Sequence, residues 1–334
     1  MIDGIKFPEQ HFFTPELLIE ILDQKVIFNY NSELYHIEDI KSQIKVIEKI
    51  ELKNMLYQKV SVKPRLDKEQ YLKNVAKLKH HIQIGDIYEV NYCQEFYEDN
   101  VQINPLEIYL KLNQKSPTPF SCFVKHNDKY LLSASPERFI QKAGKRIVSQ
   151  PIKGTIKRGE TEKEDRELLK QLYNDKKERN ENIMIVDLVR NDISKIVKKN
   201  TVNVDELCAV YTYPQVHQMV STVSAELKNE ISFKEVIHAT FPMGSMTGAP
   251  KIRAMELIEQ YETTKRGLYS GTVGYINPDG DFDFNVVIRS ILYNASDNYL
   301  SFTVGGAITN QSIPEKEYEE CMLKAKAIFE VLSE

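Results

Sequence analysis

Apolar positions fall at helical spacing in some stretches of the chain and alternate with polar ones in others, and this contrast lays out the elements. Asp67 stands ahead of a stripe made by Tyr71, Val75, Leu78 and Ile82, with Gln70 three residues after it. That order predicts a helix opened by Asp67 in a capping box and closed at Gly85. Another stripe runs through Glu178, Glu181, Ile185 and Leu188, and a third through Cys321, Ala325, Ile328 and Leu332. From Lys129 the texture turns to strands. Leu131–Ser133 and Arg146–Val148 flank the turn-like Ser135-Pro136-Glu137. Ser270–Ile276 and Phe282–Tyr293 flank Asn277-Pro278-Asp279-Gly280, a strong hairpin signal, and Tyr299–Thr309 makes a further strand. Hairpins set among unrelated helices predict an α+β protein built on antiparallel sheets.

Residues 1–63 mix short apolar runs with a charged, helix-like segment, Ile37–Leu56. Pro64 disfavours helix in the residue before it and marks the expected boundary. The organisation expected is an N-terminal part, 1–63, packed on a main body, 64–334.

Composition narrows the class without choosing a function. The 334 residues are 42% apolar and 28% charged, ordinary for a globular protein able to bury a sizeable core. With 44 basic and 48 acidic residues the net charge is −4, so no global field favours nucleic acid or an anionic membrane. A small anionic substrate would need a local cluster of cations and donors. No apolar run approaches the ~20 residues that span a bilayer, and the N-terminus carries no signal-like core. The cysteines, Cys93, Cys122, Cys208 and Cys321, include no CxxC pair, which indicates neither a zinc site nor a disulfide framework. A cytoplasmic location is expected.

Three constellations carry candidate chemistry. Glu178 and Glu181 share a stripe with core residues, and Glu317 and Glu320 repeat the spacing at the start of the last helix. Inward-facing carboxylates repel one another unless a hard cation such as Mg²⁺ sits among them; otherwise they are ordinary solvated acids. Lys153, in Pro151-Ile152-Lys153-Gly154-Thr155, suits either a desolvated, nucleophilic amine or a solvated loop lysine. Glu137 reads equally as a general acid or as a partner of Arg138. Finally, the small-residue loop Gly244–Pro250 leads into a helix with Lys251 at its start, a backbone anion site or a plain turn. Gly305-Gly306-Ala307 reads similarly. Arg289, alternating with apolar residues, favours a bidentate carboxylate partner.

Together these segments resemble the chorismate-utilising enzymes: anthranilate, aminodeoxychorismate, isochorismate and salicylate synthases. GDIYEVNYCQEF (85–96), SASPERF (133–139), PIKGT (151–155), ENIMIVDLVRNDI (181–193), FPMGSMTGAPKIRAMELI (241–258), RGLYSGTVGY (266–275), FNVVIRS (284–290) and PEKEYEECMLKAKAI (314–328) occur in family order. The resemblance implies two packed antiparallel β-sheets with helices outside and the site between them. It implies Glu181 and Glu320 as Mg²⁺ ligands, with Glu178 and Glu317 beside them, holding the ring carboxylate of chorismate. Arg289 and Tyr269 would receive the enolpyruvyl carboxylate, helped by backbone groups of Gly305, Gly306 and Ala307. Ser245, Gly154, Thr155 and Lys251 fall in the substrate-contacting segments.

Lys153 separates the subfamilies. Anthranilate synthases resemble PIAGT, whereas PIKGT resembles the aminodeoxychorismate synthases, in which the lysine attacks C2, the C4 hydroxyl leaves, and ammonia then displaces the lysine from C4. Glu137 would protonate that hydroxyl. The chain departs from the family at Gln218, where a histidine is usual and His217 comes one position early, and at Glu89, where a glutamine is usual. Its N-terminal part is shorter than in many members and lacks the segment that binds tryptophan, so feedback by tryptophan is not expected. None of the four cysteines sits on a G-x-C-x-G elbow, so a separate glutamine amidotransferase subunit is the expected ammonia source.

Overall fold

The computed structural model describes residues 1–47 and 59–333. It falls into two units, Pro8–Tyr57 and Met1–Phe7 with Gln58–Glu334. In the smaller, β1 (Leu17–Leu22) and β2 (Lys25–Tyr30) form an antiparallel hairpin, followed by α1 (Ile37–Ile47). The rest of the helix-like segment lies outside the described residues.

The larger unit holds two seven-stranded antiparallel sheets. The first runs β12 (Gly248–Ala249), β4 (Glu89–Glu98), β16 (Tyr299–Ile308), β15 (Ser290–Asn294), β6 (Lys129–Ser135), β5 (Phe120–His126), with β3 (Lys63–Pro64) also on β4. The second runs β10 (Asn203–Thr212), β11 (Val216–Glu226), β8 (Arg146–Gln150), β7 (Arg138–Ala143), β14 (Phe282–Asn285), β13 (Gly274–Ile276), with β9 (Ile152–Lys157) also on β11. Helices α2 (Lys68–Gln83), α3 (Pro105–Lys115), α7 (Lys251–Tyr261) and α8 (Pro314–Ser333) pack with the first sheet. Helices α4 (Glu162–Asn174), α5 (Lys176–Ser194) and α6 (Phe233–Thr240) go with the second. This is the α+β architecture the sequence predicts.

Local signals explain the helices. Asp67 accepts the Gln70 amide at 2.7 Å, and Tyr71, Val75 and Leu78 are buried below it. The reciprocal half of the expected capping box is missing, because the Gln70 side chain donates to Asn74 instead. Cys321, Ala325, Ile328 and Leu332 of α8 are all buried against the first sheet, joining Phe96 and Phe302. Fully burying an aliphatic or aromatic side chain of this size stabilises the fold by about 1.5–3 kcal/mol. A second core lies between the sheets, with Leu131 and Leu292 from one and Phe139, Ile147 and Val223 from the other.

One expectation is corrected in a way that matters for function. Phe282–Tyr293 is not a single strand: β14 belongs to the second sheet and β15 to the first, and residues 286–289 cross between them. Arg289 makes the turn with φ 50°, a left-handed conformation uncommon for a non-glycine residue. The chain also crosses at Pro136-Glu137, from β6 to β7. The two crossings are tied together: Ser135 Oγ donates to the Val286 carbonyl at 2.6 Å, and the Val286 amide donates to the Glu137 carbonyl at 3.0 Å. Glu137 and Arg289 are thereby delivered to the space between the sheets.

Candidate active site

A cavity opens between the sheets, enclosing about 770 Å³ of empty space when its open mouth is included. Its wall includes Glu137, Lys153, Gly154, Thr155, Glu178, Glu181, Ser245, Tyr269, Arg289, Gly305, Gly306, Ala307 and Glu320. Thus segments far apart in the chain meet at one place.

Glu137 is 3% exposed and accepts a 2.6 Å hydrogen bond from Ser245 Oγ. Burial raises its pKa to about 7, against the opposing pull of the Ser245 hydroxyl, Lys153 and Arg289. A carboxyl group so tuned is a serviceable proton donor near neutral pH. Arg138, the alternative partner, is engaged elsewhere by both oxygens of Asp283.

Lys153 projects from β9 and is 9% exposed. Burial alone favours its amine, as the sequence suggests. The Glu89 and Glu181 carboxylates outweigh burial, however, and the net shift is upward, with Lys324 opposing them. Glu89 Oε1 lies 3.1 Å from Lys153 Nζ. Gly154 follows with φ 95°, and a Cβ there would come within 3.1 Å of Glu178 Oε2, so the position suits only glycine.

The guanidinium of Arg289 forms no ion pair or hydrogen bond with any described residue, although burial lowers its pKa and Glu137 is near enough to oppose that shift. Arg289 lines the cavity with its donors unspent, ready for a carboxylate. Tyr269 brings its hydroxyl to the same wall, 3.8 Å from Cys93 Sγ. Beyond Phe302, β16 has no β15 partner, so one edge of Thr303–Ala307 borders the cavity. A side chain at Gly305 would run into the Tyr92 carbonyl at 2.8 Å.

At the far end the carboxylates gather with two lysines. Lys177 lies 3.0 Å from Glu317 and 3.4 Å from Glu181, and Lys324 lies 2.7 Å from Glu320. Lys324 holds the Glu320 carboxyl down at about 2. Burial raises Glu181 to about 8, opposed by Lys153 and Lys177. Glu181 Oε1 and Glu317 Oε2 are buried without a hydrogen-bond partner. Among the described residues no three acidic, histidine or cysteine side chains are drawn into a ready ligand set. Glu178, Glu181 and Glu320 nevertheless line one cavity, with a Glu181 oxygen unsatisfied, and this fits Mg²⁺, which is commonly held by only one or two carboxylates.

Two candidates lie outside the cavity wall: Glu317, paired with Lys177, and Lys251. The Lys251 ammonium donates to Asp192 at 2.5 Å and to the Pro242 carbonyl at 2.6 Å. A lysine at the start of a helix found a buried acid on α5 in place of a ligand. Sequence reasoning missed Lys177, Lys324 and Asn91. The lysines were legible in part, each four residues from an acid on the same helix. Asn91, which donates to the Ser245 carbonyl at 2.8 Å, carried no such signal.

With this geometry in view, similarity to known proteins identifies the class. The sequence matches the chorismate binding enzyme family over residues 4–330, and the chain belongs to that family. Chloroplastic aminodeoxychorismate synthase of Arabidopsis thaliana is 40% identical over 272 residues, 80% of this chain but 29% of that protein. The chain therefore spans less than a third of that plant relative. Aminodeoxychorismate synthase component 1 of Bacillus subtilis is 31% identical over 94% of this chain and 70% of its own length. Among solved structures, anthranilate synthase component I from Streptococcus pneumoniae superposes with a TM-score of 0.84 at 29% identity, covering 98% of this chain and 75% of that one. No described helix is long and apolar enough to cross a membrane.

Proposed function

We propose that the chain aminates chorismate at C4, giving 4-amino-4-deoxychorismate, the precursor of p-aminobenzoate. The observation that carries this reading is Lys153 lining one cavity with a near-neutral Glu137 and an uncommitted Arg289. The Arg289 fork, Tyr269 and the open edge of β16 bind one substrate carboxylate. Lys153 attacks C2, the ring double bond shifts, and Glu137 gives its proton to the departing C4 hydroxyl. Ammonia then bonds at C4 and releases the lysine. Glu181 and Glu320 would hold Mg²⁺, with Glu178 and Glu317 beside them; the ion supplies positive charge for the other carboxylate.

Gln218 supports retention of the enolpyruvyl group. It lines the cavity with its side-chain oxygen unpartnered, while His217 faces the opposite way, to Asp165 at 2.9 Å. Strand alternation thus leaves no histidine at the position where the family usually has one. Mass analysis of the product from chorismate, Mg²⁺ and ammonium at mildly alkaline pH tests the reading. Aminodeoxychorismate retains the enolpyruvyl group; anthranilate, the product if the chain instead aminates C2 and eliminates pyruvate as an anthranilate synthase component I, has lost it.

Two further outcomes follow from this reading. Glu181→Gln and Glu320→Gln should each cost more than the roughly 10–100-fold that loss of an outer-shell partner costs a metal enzyme, with unchanged circular dichroism. Normal turnover of either variant in the presence of a chelator would exclude the assignment. The ammonia source is a separate glutamine amidotransferase subunit. Cys93, Cys208 and Cys321 are buried, and burial raises the pKa of all four thiols, the opposite of what a nucleophile needs. The purified chain should use ammonium salts and fail with glutamine until that subunit is added; glutamine-dependent turnover by the chain alone would refute this.

A further inference from the structure

The reaction above gives Glu89 no task, yet its surroundings are unusual. The residue opens β4, is 1% exposed, and lies outside the cavity wall. Neither carboxylate oxygen receives a well-formed hydrogen bond, and Oε1 lies 3.1 Å from Lys153 Nζ. A buried carboxylate without hydrogen bonds is costly unless a charge nearby compensates it. Lys153, which lines the cavity where Glu89 does not, is that charge. The other charged groups facing Lys153 are Glu181 and Lys324, with Glu137 across the cavity.

We propose that Glu89 is a positioning residue, holding Lys153 as an oriented ammonium in the resting site and receiving its proton when the amine attacks. The inference rests on Lys153 being the nucleophile. One proton moves from Lys153 Nζ to a Glu89 oxygen, turning an ion pair into a neutral amine and a carboxylic acid without change in net charge. The amine lone pair then makes the N–C2 bond, the C4–O bond breaks, and the hydroxyl leaves as water with the Glu137 proton. When ammonia bonds at C4 the N–C2 bond breaks, Lys153 departs as a neutral amine, and Glu89 returns the proton. The new C4 ammonium keeps the three protons of ammonia, and Glu137 regains its own from solvent.

Glu89→Gln keeps the volume and removes the charge, so it separates this role from packing. Carbamylation of Lys153 by cyanate in the free enzyme, mapped by peptide mass, reads the amine directly. Losing the carboxylate lowers the lysine pKa, so the rising limb of the pH profile should move at least one unit down, about tenfold faster reaction at a given pH below the limb. Glu89→Asp should keep the limb near its original place. With chorismate and no ammonia, the lysyl adduct of the unmodified protein should lose the Glu137 carboxylic-acid C=O infrared band and gain a second one that Glu89→Gln lacks. Coincident cyanate profiles, or a second band that survives in Glu89→Gln, would overturn the proposal. Absence of any adduct in the unmodified protein overturns the nucleophile reading and the proton transfer with it, while the cyanate arm still reports the ion pair alone.

Discussion

Lys153→Ala is expected to lose C4 amination by ~10³-fold or more, because on the proposed route the substitution removes the nucleophile and leaves only binding and proton donation. The effect should fall on kcat, with chorismate affinity little changed, since Arg289, Tyr269 and the β16 edge are untouched. The enlarged cavity then resembles an anthranilate site, so slow amination at C2 is the expected residual activity. Liquid chromatography with mass detection distinguishes the two products, and the unmodified enzyme trapped without ammonia should show Lys153 carrying chorismate less one water. Undiminished aminodeoxychorismate from Lys153→Ala would end the covalent route.

Glu137→Gln is expected to cost about 10²–10⁴-fold, the usual range for a lost general acid. Its pH dependence is the sharper test. Burial holds Glu137 at about 7, and the useful form is the protonated one. The first half-reaction should therefore decline as pH rises through about 7, tenfold per unit beyond it. Glutamine does not titrate, so the variant should be slow and lack this limb. Ser245 donates to the same carboxyl group and favours its ionised form, so Ser245→Ala should move the limb upward. A Glu137→Gln profile that kept the limb would assign the proton to another group.

Lys153 also shows why a buried residue's charge cannot be judged from its neighbours in sequence. Ile152 and Gly154 suggest a desolvated amine, and burial does act in that direction. The deciding groups are Glu89 on β4 and Glu181 on α5, brought to the lysine by sheet and helix packing. Lys251 teaches the same lesson in reverse: its place beside a glycine-rich loop suggests an anion site, but Asp192 on α5 claims it.

The sequence by itself determined the elements with strong local patterns. The α2 cap at Asp67, the buried stripe of α8 and the hairpin at Asn277–Gly280 all rest on residues within a few positions of one another. Tertiary structure alone decided the rest. Phe282–Tyr293 reads as one strand because alternation persists across a crossing, and periodicity carries no record of which sheet a strand joins. That crossing, together with the one at Pro136-Glu137, sets Arg289 and Glu137 in the same cavity as Lys153. Charge states, the unspent Arg289 fork and the Glu89–Lys153 pair depend on distances between segments remote in the chain, and folding alone sets those distances.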